Sequence, residues 1–176
     1  MKNIIVIGGS NSKNSINKTL ATYAGEQLEE VVLTILDLNE FKLPLYGIDL
    51  ETEEGIHEEA KRLSGIFDWA DGFVVSLAEH NGAYSAAFKN AFDWLSRING
   101  KVWREKPVLL LATSPGGRGG QTVLQIAATS FPHLGAKVTG SMSFPSFFDN
   151  FKDGEVENPE LKASLAKEIA NFQKEI

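Results

Sequence analysis

The stretch Ile4-Ile5-Val6-Ile7-Gly8-Gly9-Ser10-Asn11-Ser12-Lys13-Asn14-Ser15-Ile16-Asn17 passes from an apolar run, through a polar loop, into a helical pattern. Ile4 to Ile7 contains no polar residue, as expected of a strand buried on both faces. From about Asn17 to Leu28 the side chains of Leu20, Tyr23, Ala24 and Leu28 fall on one helical face. The same succession then recurs along the chain. Val31–Leu36 reads as a second strand, Phe73–Val75 as a third, Val108–Ala112 as a fourth and Lys137–Ser143 as a fifth. Helical spacing covers about Gly55–Ala70 (Ile56, Ala60, Leu63, Ile66, Phe67), then Tyr84 to Leu95 (Phe88, Ala91, Phe92), then the stretch after Gly120 (Val123, Leu124, Ala127, Ala128). The acidic residues Glu51, Glu53 and Glu54 read as a lead-in to the second of these helices, after a non-helical connection, Phe41 to Gly47, broken by Pro44. A last helix is predicted from Pro159 to Phe172, with Asn158 as its N-cap and Pro159 at the first helical position.

Strands that alternate with helices imply an α/β fold with a parallel sheet. Runs one, three and four are the most continuously apolar, so they belong in the centre. The fifth alternates polar residues with Val138, Gly140 and Met142, which suits an edge. A five-stranded order 2-1-3-4-5 meets both conditions. It places the switch point between strands one and three, where open α/β sheets hold ligands. The loops that follow strands one, three and four (Gly9 to Asn17, Ala78 to Gly82, Ser114 to Gly120) surround that crevice. Three polar, backbone-rich loops on one rim point to a flat, anionic, many-atom ligand.

The chain has 176 residues and no internal repeat, so a single domain, 1–176, is expected. It has no cysteine, which excludes disulfides, thiolate catalysis and cysteine-ligated metals. His57, His80 and His133 lie on separate elements without metal-ligand spacing. A net charge of −6 disfavours duplex nucleic acid as a partner. No apolar run approaches membrane-spanning length, so no membrane association is expected. Ile4–Ile7 is also too short for the apolar core of a signal peptide, and the cytoplasm is the expected compartment.

The first loop offers the hydroxyls of Ser10, Ser12 and Ser15, the amides of Asn11, Asn14 and Asn17, and the free N–H groups of a helix start. Such groups bind phosphate oxygens, and the helix dipole favours the charge. The loop lacks both the Gly-x-Gly-x-x-Gly of dinucleotide folds and the Gly-Lys-Ser/Thr of a P-loop, so a mononucleotide phosphate fits better than a pyrophosphate. The plainer reading is a helix cap at Ser15 with a turn before it. In the second loop, Glu79, His80 and Asn81 are placed to meet the edge of a heteroaromatic ring, with His80 either a general base or a polar loop residue. In the third, Gly116, Gly117, Gly119 and Gly120 surround Arg118, which either pairs with a substrate phosphate or is solvated. Asp37, at the end of strand two, reads as a turn residue. Ser10 has no Gly-x-Ser-x-Gly context, which argues against a hydrolase. Most aromatics of the Trp94 helix and of Phe144–Phe151 are assigned to the core, with some available to a dimer face.

At these residues the chain resembles the NAD(P)H-dependent FMN reductase family, which has a flavodoxin-like fold. The family's Gly-Ser-x-Arg-x-x-Ser-x-Asn pattern is met at Gly9, Ser10, Ser15 and Asn17. Its second motif, Pro-Glu-Tyr-Asn-Gly-Ser-Tyr-x-x-x-Leu-Lys-Asn-x-x-Asp-Trp, is met at Glu79, Asn81, Gly82, Tyr84, Lys89, Asn90, Asp93 and Trp94. Its Ser-x-Gly-x-x-Gly-Gly run is met at Ser114, Gly116, Gly119 and Gly120, and Leu43-Pro44-Leu45-Tyr46 is also similar. Three of the departures bear on the site: Ser12 stands for the arginine, Ala78 for the proline and His80 for the tyrosine. Losing the arginine removes a bidentate phosphate contact, and Lys13 beside it is a point charge of different reach.

The resemblance implies a flavodoxin-like three-layer sandwich that binds FMN. Ser10, Ser12, Ser15, Ile16 and Asn17 would hold the phosphate. Ala78, Glu79, His80, Asn81 and Gly82 would line one flank of the isoalloxazine, and Ser114, Gly116 and Gly117 the other. It implies hydride transfer from NAD(P)H to FMN and then to a small-molecule acceptor, with ping-pong kinetics and no catalytic side chain, because the flavin carries the chemistry. It also implies a homodimer or homotetramer built on the helix from Tyr84 to Trp94. The alternatives are a non-enzymatic FMN electron carrier and a flavin-free interaction module.

Overall fold

The computed structural model describes residues 1–176. Strand β1 (Lys2–Gly9) is followed by α1 (Ile16–Glu26) and β2 (Val31–Leu36). A 3-10 turn at Leu38–Glu40 precedes α2 (Ile48–Glu54), α3 (Glu58–Asp68) and β3 (Gly72–Leu77). A small hairpin, β4 (Glu79–His80) and β5 (Ala83–Tyr84), leads into α4 (Ala86–Ile98). Then come β6 (Lys106–Thr113), α5 (Gln121–Ser130) and β7 (Ala136–Phe144). The chain closes with one turn of helix, α6 (Phe147–Asn150), a second hairpin, β8 (Phe151–Lys152) and β9 (Glu155–Val156), and α7 (Pro159–Gln173).

The five long strands form one parallel sheet in the order β2-β1-β3-β6-β7. By position this is the expected 2-1-3-4-5. The central strands turn alternate residues to opposite faces, and each face has its own core. Ile4, Val6, Val74, Leu109 and Leu111 pack with α1 and α7. Ile5, Ile7, Phe73, Val75, Val108 and Leu110 pack beneath α3, α4 and α5. The result is a three-layer α/β sandwich. Asn158 caps α7 as expected, accepting from the N–H groups of Glu160 (3.0 Å) and Leu161 (3.1 Å).

Three local features differ from the sequence expectation. The helix expected from Gly55 starts at Glu58, because His57 stays extended and its Nδ1 accepts from Glu59 N–H (3.2 Å). The acidic run before it is itself helical: α2 carries Asp49 and Glu51 in its first turn, where the helix dipole favours acids. Glu51 is gripped from both sides, by the Tyr46 hydroxyl and by Arg97 Nε, each at 2.8 Å. The loop from Ala78 to Gly82 is largely a hairpin, whose two-residue turn places Asn81 at φ +52° and Gly82 at φ +75°. Asn-Gly is the preferred pair for that turn, because both central residues need positive φ.

One glycine sets how closely α1 approaches the sheet. A Cβ at Gly8 would lie 2.6 Å from the backbone N and Cα of Lys18. Only a bare backbone lets the first turn of α1 rest on the end of β1.

Candidate functional site

Asn17 holds the ends of three elements together. Its Oδ1 accepts from the Ser76 hydroxyl (2.7 Å) at the end of β3 and from Thr113 N–H (3.0 Å) at the end of β6. Its Nδ2 donates to the Thr113 carbonyl (3.1 Å). All three residues are buried. The first and third loops therefore leave one floor, as the strand order requires. The side chain of Asn17, expected to meet phosphate, is taken up by that floor, and its contribution to the rim is its backbone N–H.

Ser85 performs a similar service for the second loop. Its hydroxyl donates to the Gly9 carbonyl (2.8 Å) and accepts from Phe88 N–H (3.2 Å), capping α4 and tying it to the end of β1. The hairpin itself is docked on α5. Glu79 Oε2 accepts from Val123 N–H (3.0 Å) in the first turn of α5. Tyr84, paired across the hairpin with Glu79, shares a hydrogen bond with Ser130 at the far end of that helix (3.1 Å). Burial raises the Tyr84 phenol above its ordinary pKa, so it stays neutral. The Glu79 carboxylate, expected at the ring edge, is instead occupied by the N-terminus of α5. His80 and Ala83 occupy the opposite, exposed face of the hairpin.

Further motif residues also serve the scaffold. Asn90 Oδ1 accepts from Tyr46 N–H (2.8 Å), while Asn90 Nδ2 (3.0 Å) and Trp94 Nε1 (2.9 Å) both donate to the Pro44 carbonyl. They strap the Leu43–Tyr46 connection to α4. Phe88, Phe92 and Trp94 are core residues, so the face that α4 turns outward is polar, with a Lys89–Asp93 pair at 2.7 Å. Asp37 caps the 3-10 turn and takes Lys18 Nζ at 2.7 Å. That lysine lowers the carboxyl's pKa below its ordinary value.

The third loop contains glycines in two different conditions. Gly119 has φ +56°, and a Cβ there would lie 2.5 Å from Ser143 Oγ and 2.7 Å from the backbone of Phe144. Folding alone requires glycine at that position. Gly116 and Gly117 have no positive φ, and nothing lies within 4 Å of a Cβ built on either. The loop is nonetheless held: the Gly116 carbonyl accepts from Ser146 N–H (3.0 Å), and the Ser114 carbonyl from Phe147 N–H (3.1 Å). Gly116 and Gly117 thus present bare backbone to open space, a cradle that side chains would fill.

On the first loop, Asn11, Ser12, Lys13 and Asn14 are exposed. Ser10 Oγ accepts from Ser12 N–H (3.1 Å), and Ser15 Oγ accepts from Lys18 N–H (3.1 Å), so both hydroxyl protons remain free to donate. The N–H groups of Ile16 and Asn17 open α1 ahead of its hydrogen-bond ladder. Hydroxyls, amides, backbone donors and Lys13 suit a phosphate ester, and the glycine cradle two strands away suits a planar ring.

The family model described as NADPH-dependent FMN reductase matches residues 2–149. A quinone reductase of Escherichia coli (strain K12) is 34% identical over 122 residues, covering 66% of this chain and 62% of that protein. An NADPH azoreductase of Bacillus sp. (strain OY1-2) is 35% identical over 121 residues, covering 69% of this chain and 64% of that one. The chain thus spans about three fifths of the length of these curated relatives. Among solved structures, the flavoenzyme NAD(P)H:(acceptor) oxidoreductase FerB from Paracoccus denitrificans superposes with a TM-score of 0.80 at 24% identity, covering 99% of this chain and 97% of that one. At that identity the likeness is one of fold, and it agrees with the flavodoxin-like sandwich.

Proposed function

Because the chain belongs to the NADPH-dependent FMN reductase family, we propose that it is an FMN-dependent NAD(P)H oxidoreductase acting on a small-molecule acceptor of the quinone, azo or flavin type. Its relatives include a quinone reductase and an NADPH azoreductase, which supports that range of acceptors. The observation that carries the reading is the bare Gly116–Gly117 backbone, held open at the rim where nothing in the fold requires glycine.

Ser10, Ser12, Ser15 and the N–H groups of Ile16 and Asn17 hold the FMN phosphate. Lys13 and the N-terminus of α1 supply the positive charge. Ala78 and the hairpin residues Glu79, His80, Asn81 and Gly82 line one flank of the ring. Glu79 acts there through its backbone, its carboxylate being docked on α5. Ser114, Gly116 and Gly117 line the other flank. FMN, when bound, supplies the redox chemistry between NAD(P)H and the acceptor, so no protein acid, base or nucleophile is assigned. Donor and acceptor use the same open face in turn, and the kinetics are ping-pong. Self-association, as a homodimer or homotetramer, and a cytoplasmic location are part of the proposal. Leu45 and Ile48, exposed beside α4, supply apolar surface for the first.

The test is an absorption spectrum of purified protein with FMN, before and after NADPH. The expected result is a flavin band that bleaches with NADPH and returns when a quinone is added. Protein that leaves FMN free in solution overturns the proposal. Protein that binds FMN without oxidising NADPH is an electron carrier instead.

A further inference from the structure

The chain has four arginines, and three of them are committed to carboxylates: Arg62 to Glu59 (2.6 Å), Arg97 to Glu51 (2.8 Å) and Arg104 to Asp68 (2.8 Å). Arg118 has no ion pair. It is exposed at the rim between Gly117 and Gly119. It is also held in place. Its carbonyl accepts from the Ser143 hydroxyl (3.1 Å), its guanidinium Nη2 donates to Thr122 Oγ1 (2.9 Å), and the next residue is the crowded Gly119. The methyl of Thr122 lies 3.9 Å from a Cβ built at Gly82, so the brace sits between the third loop and the hairpin tip. A guanidinium fixed at one nitrogen, with its remaining donors facing water, is preorganised for a phosphate.

Two arguments separate that phosphate from the FMN phosphate. Neighbouring strands lie about 4.8 Å apart, so β1 and β6, with β3 between them, end roughly 10 Å apart. The first loop and Arg118 therefore stand at different ends of the crevice. The charge distribution also fits a second anion. The chain carries −6 overall, yet Asp37 is paired with Lys18 and Glu79 with an α5 amide, which leaves Asp149, on the α6 turn that bonds to the third loop through Ser146 and Phe147, as the exposed acid without an ion pair on that side. An anion approaching the third loop meets an unpaired cation, which focuses a negatively charged ligand there.

Resting on the flavoenzyme reading above, we propose that Arg118 is a binding residue for a phosphate group of the nicotinamide dinucleotide donor. It sets affinity for the donor and leaves FMN and acceptor binding unaffected.

The experiment compares wild type with Arg118→Gln and Arg118→Lys, which keeps the charge and loses the fork. Calorimetry with flavin-free protein measures binding of 2′,5′-ADP and of 5′-ADP, and FMN fluorescence quenching measures flavin affinity. Steady-state kinetics of the FMN-loaded protein give KM and kcat for NADPH and NADH. Arg118→Gln is expected to weaken adenosine phosphate binding and raise donor KM by roughly 10- to 100-fold, the range for a charge-assisted hydrogen bond. FMN affinity, acceptor KM and kcat stay within about twofold, and Arg118→Lys recovers part of the loss. A loss confined to 2′,5′-ADP and NADPH assigns the 2′-phosphate, and an equal loss for both donors assigns the pyrophosphate. The proposal is overturned if wild type binds neither adenosine phosphate, if donor KM is unchanged in Arg118→Gln, or if FMN affinity falls instead. Failure of the flavoenzyme reading shows separately, as wild-type protein that does not retain FMN.

Discussion

Asn17 and Ser12 belong to the same loop-to-helix segment, yet their side chains are in opposite conditions. Asn17 is buried and makes three hydrogen bonds that join β3, β6 and α1. Ser12 is exposed, and its hydroxyl bonds to no other residue. The same division runs around the crevice. Ser85, Glu79, Asn90, Trp94 and Gly119 form a floor and its braces, whereas Ser12, Lys13, His80, Gly116, Gly117 and Arg118 form a rim. Polar groups in the floor are satisfied within the protein, and rim groups face outward. A motif that reads as one binding signature therefore mixes residues that build the site with residues left to meet a ligand.

Breaking the floor has the largest expected effect. Asn17→Ala leaves the buried Ser76 hydroxyl and both backbone groups of Thr113 without their partner, at a cost of about 2–4 kcal/mol. Thermal denaturation should show a melting temperature lower by several degrees. Breaking the rim should leave stability alone. Gly117→Ala adds a methyl in open space at ordinary φ, so the melting point holds, while FMN affinity, read by fluorescence quenching, falls about tenfold or more. If Gly117→Ala unfolds the protein or binds FMN normally, the division within this loop is wrong.

Smaller effects sharpen the comparison. Ser12→Arg restores a guanidinium at an exposed position and should tighten FMN binding about tenfold at low salt, with less gain at high salt. Asp37→Asn removes a partner from Lys18 and should cost under about 1 kcal/mol at pH 7. The Lys18 hydrogen bond lowers the Asp37 pKa from its ordinary value. The pair therefore stabilises the fold fully above that ordinary value, and its contribution fades as pH falls through the lowered one. Acid titration of stability should lose that component in Asp37→Asn.

The sheet could be read from the chain because unbroken apolar runs identify central strands, and Val138, Gly140 and Met142 alternate as an edge strand does. The helix cap at Asn158 is equally direct, whereas Ser15 reads as either a cap or a phosphate ligand, and its Oγ accepts from Lys18 N–H in the fold. What escaped was short or doubly readable. The hairpin has two-residue strands, too brief for periodicity, although Asn81-Gly82 is a turn signal, as is Asp153-Gly154 between β8 and β9. Helix α2 was hidden because its acids resemble a solvated linker until Tyr46 and Arg97 close on Glu51. At the site, residue type alone does not say whether an amide or carboxylate faces a ligand or a neighbouring strand end. The partners of Asn17 and Glu79 lie 96 and 44 residues away, at Thr113 and Val123.

The most direct test of the division is a titration of isotopically labelled protein with FMN, followed by backbone amide chemical shifts. The account predicts concerted shifts at Ser10–Asn17, Ala78–Gly82 and Ser114–Gly117, saturating at one equivalent, with Tyr23, Gln27, Lys162 and Ile169, which line a groove between α1 and α7, unmoved. Shifts concentrated in that groove, or at only one of the three loops, would contradict it.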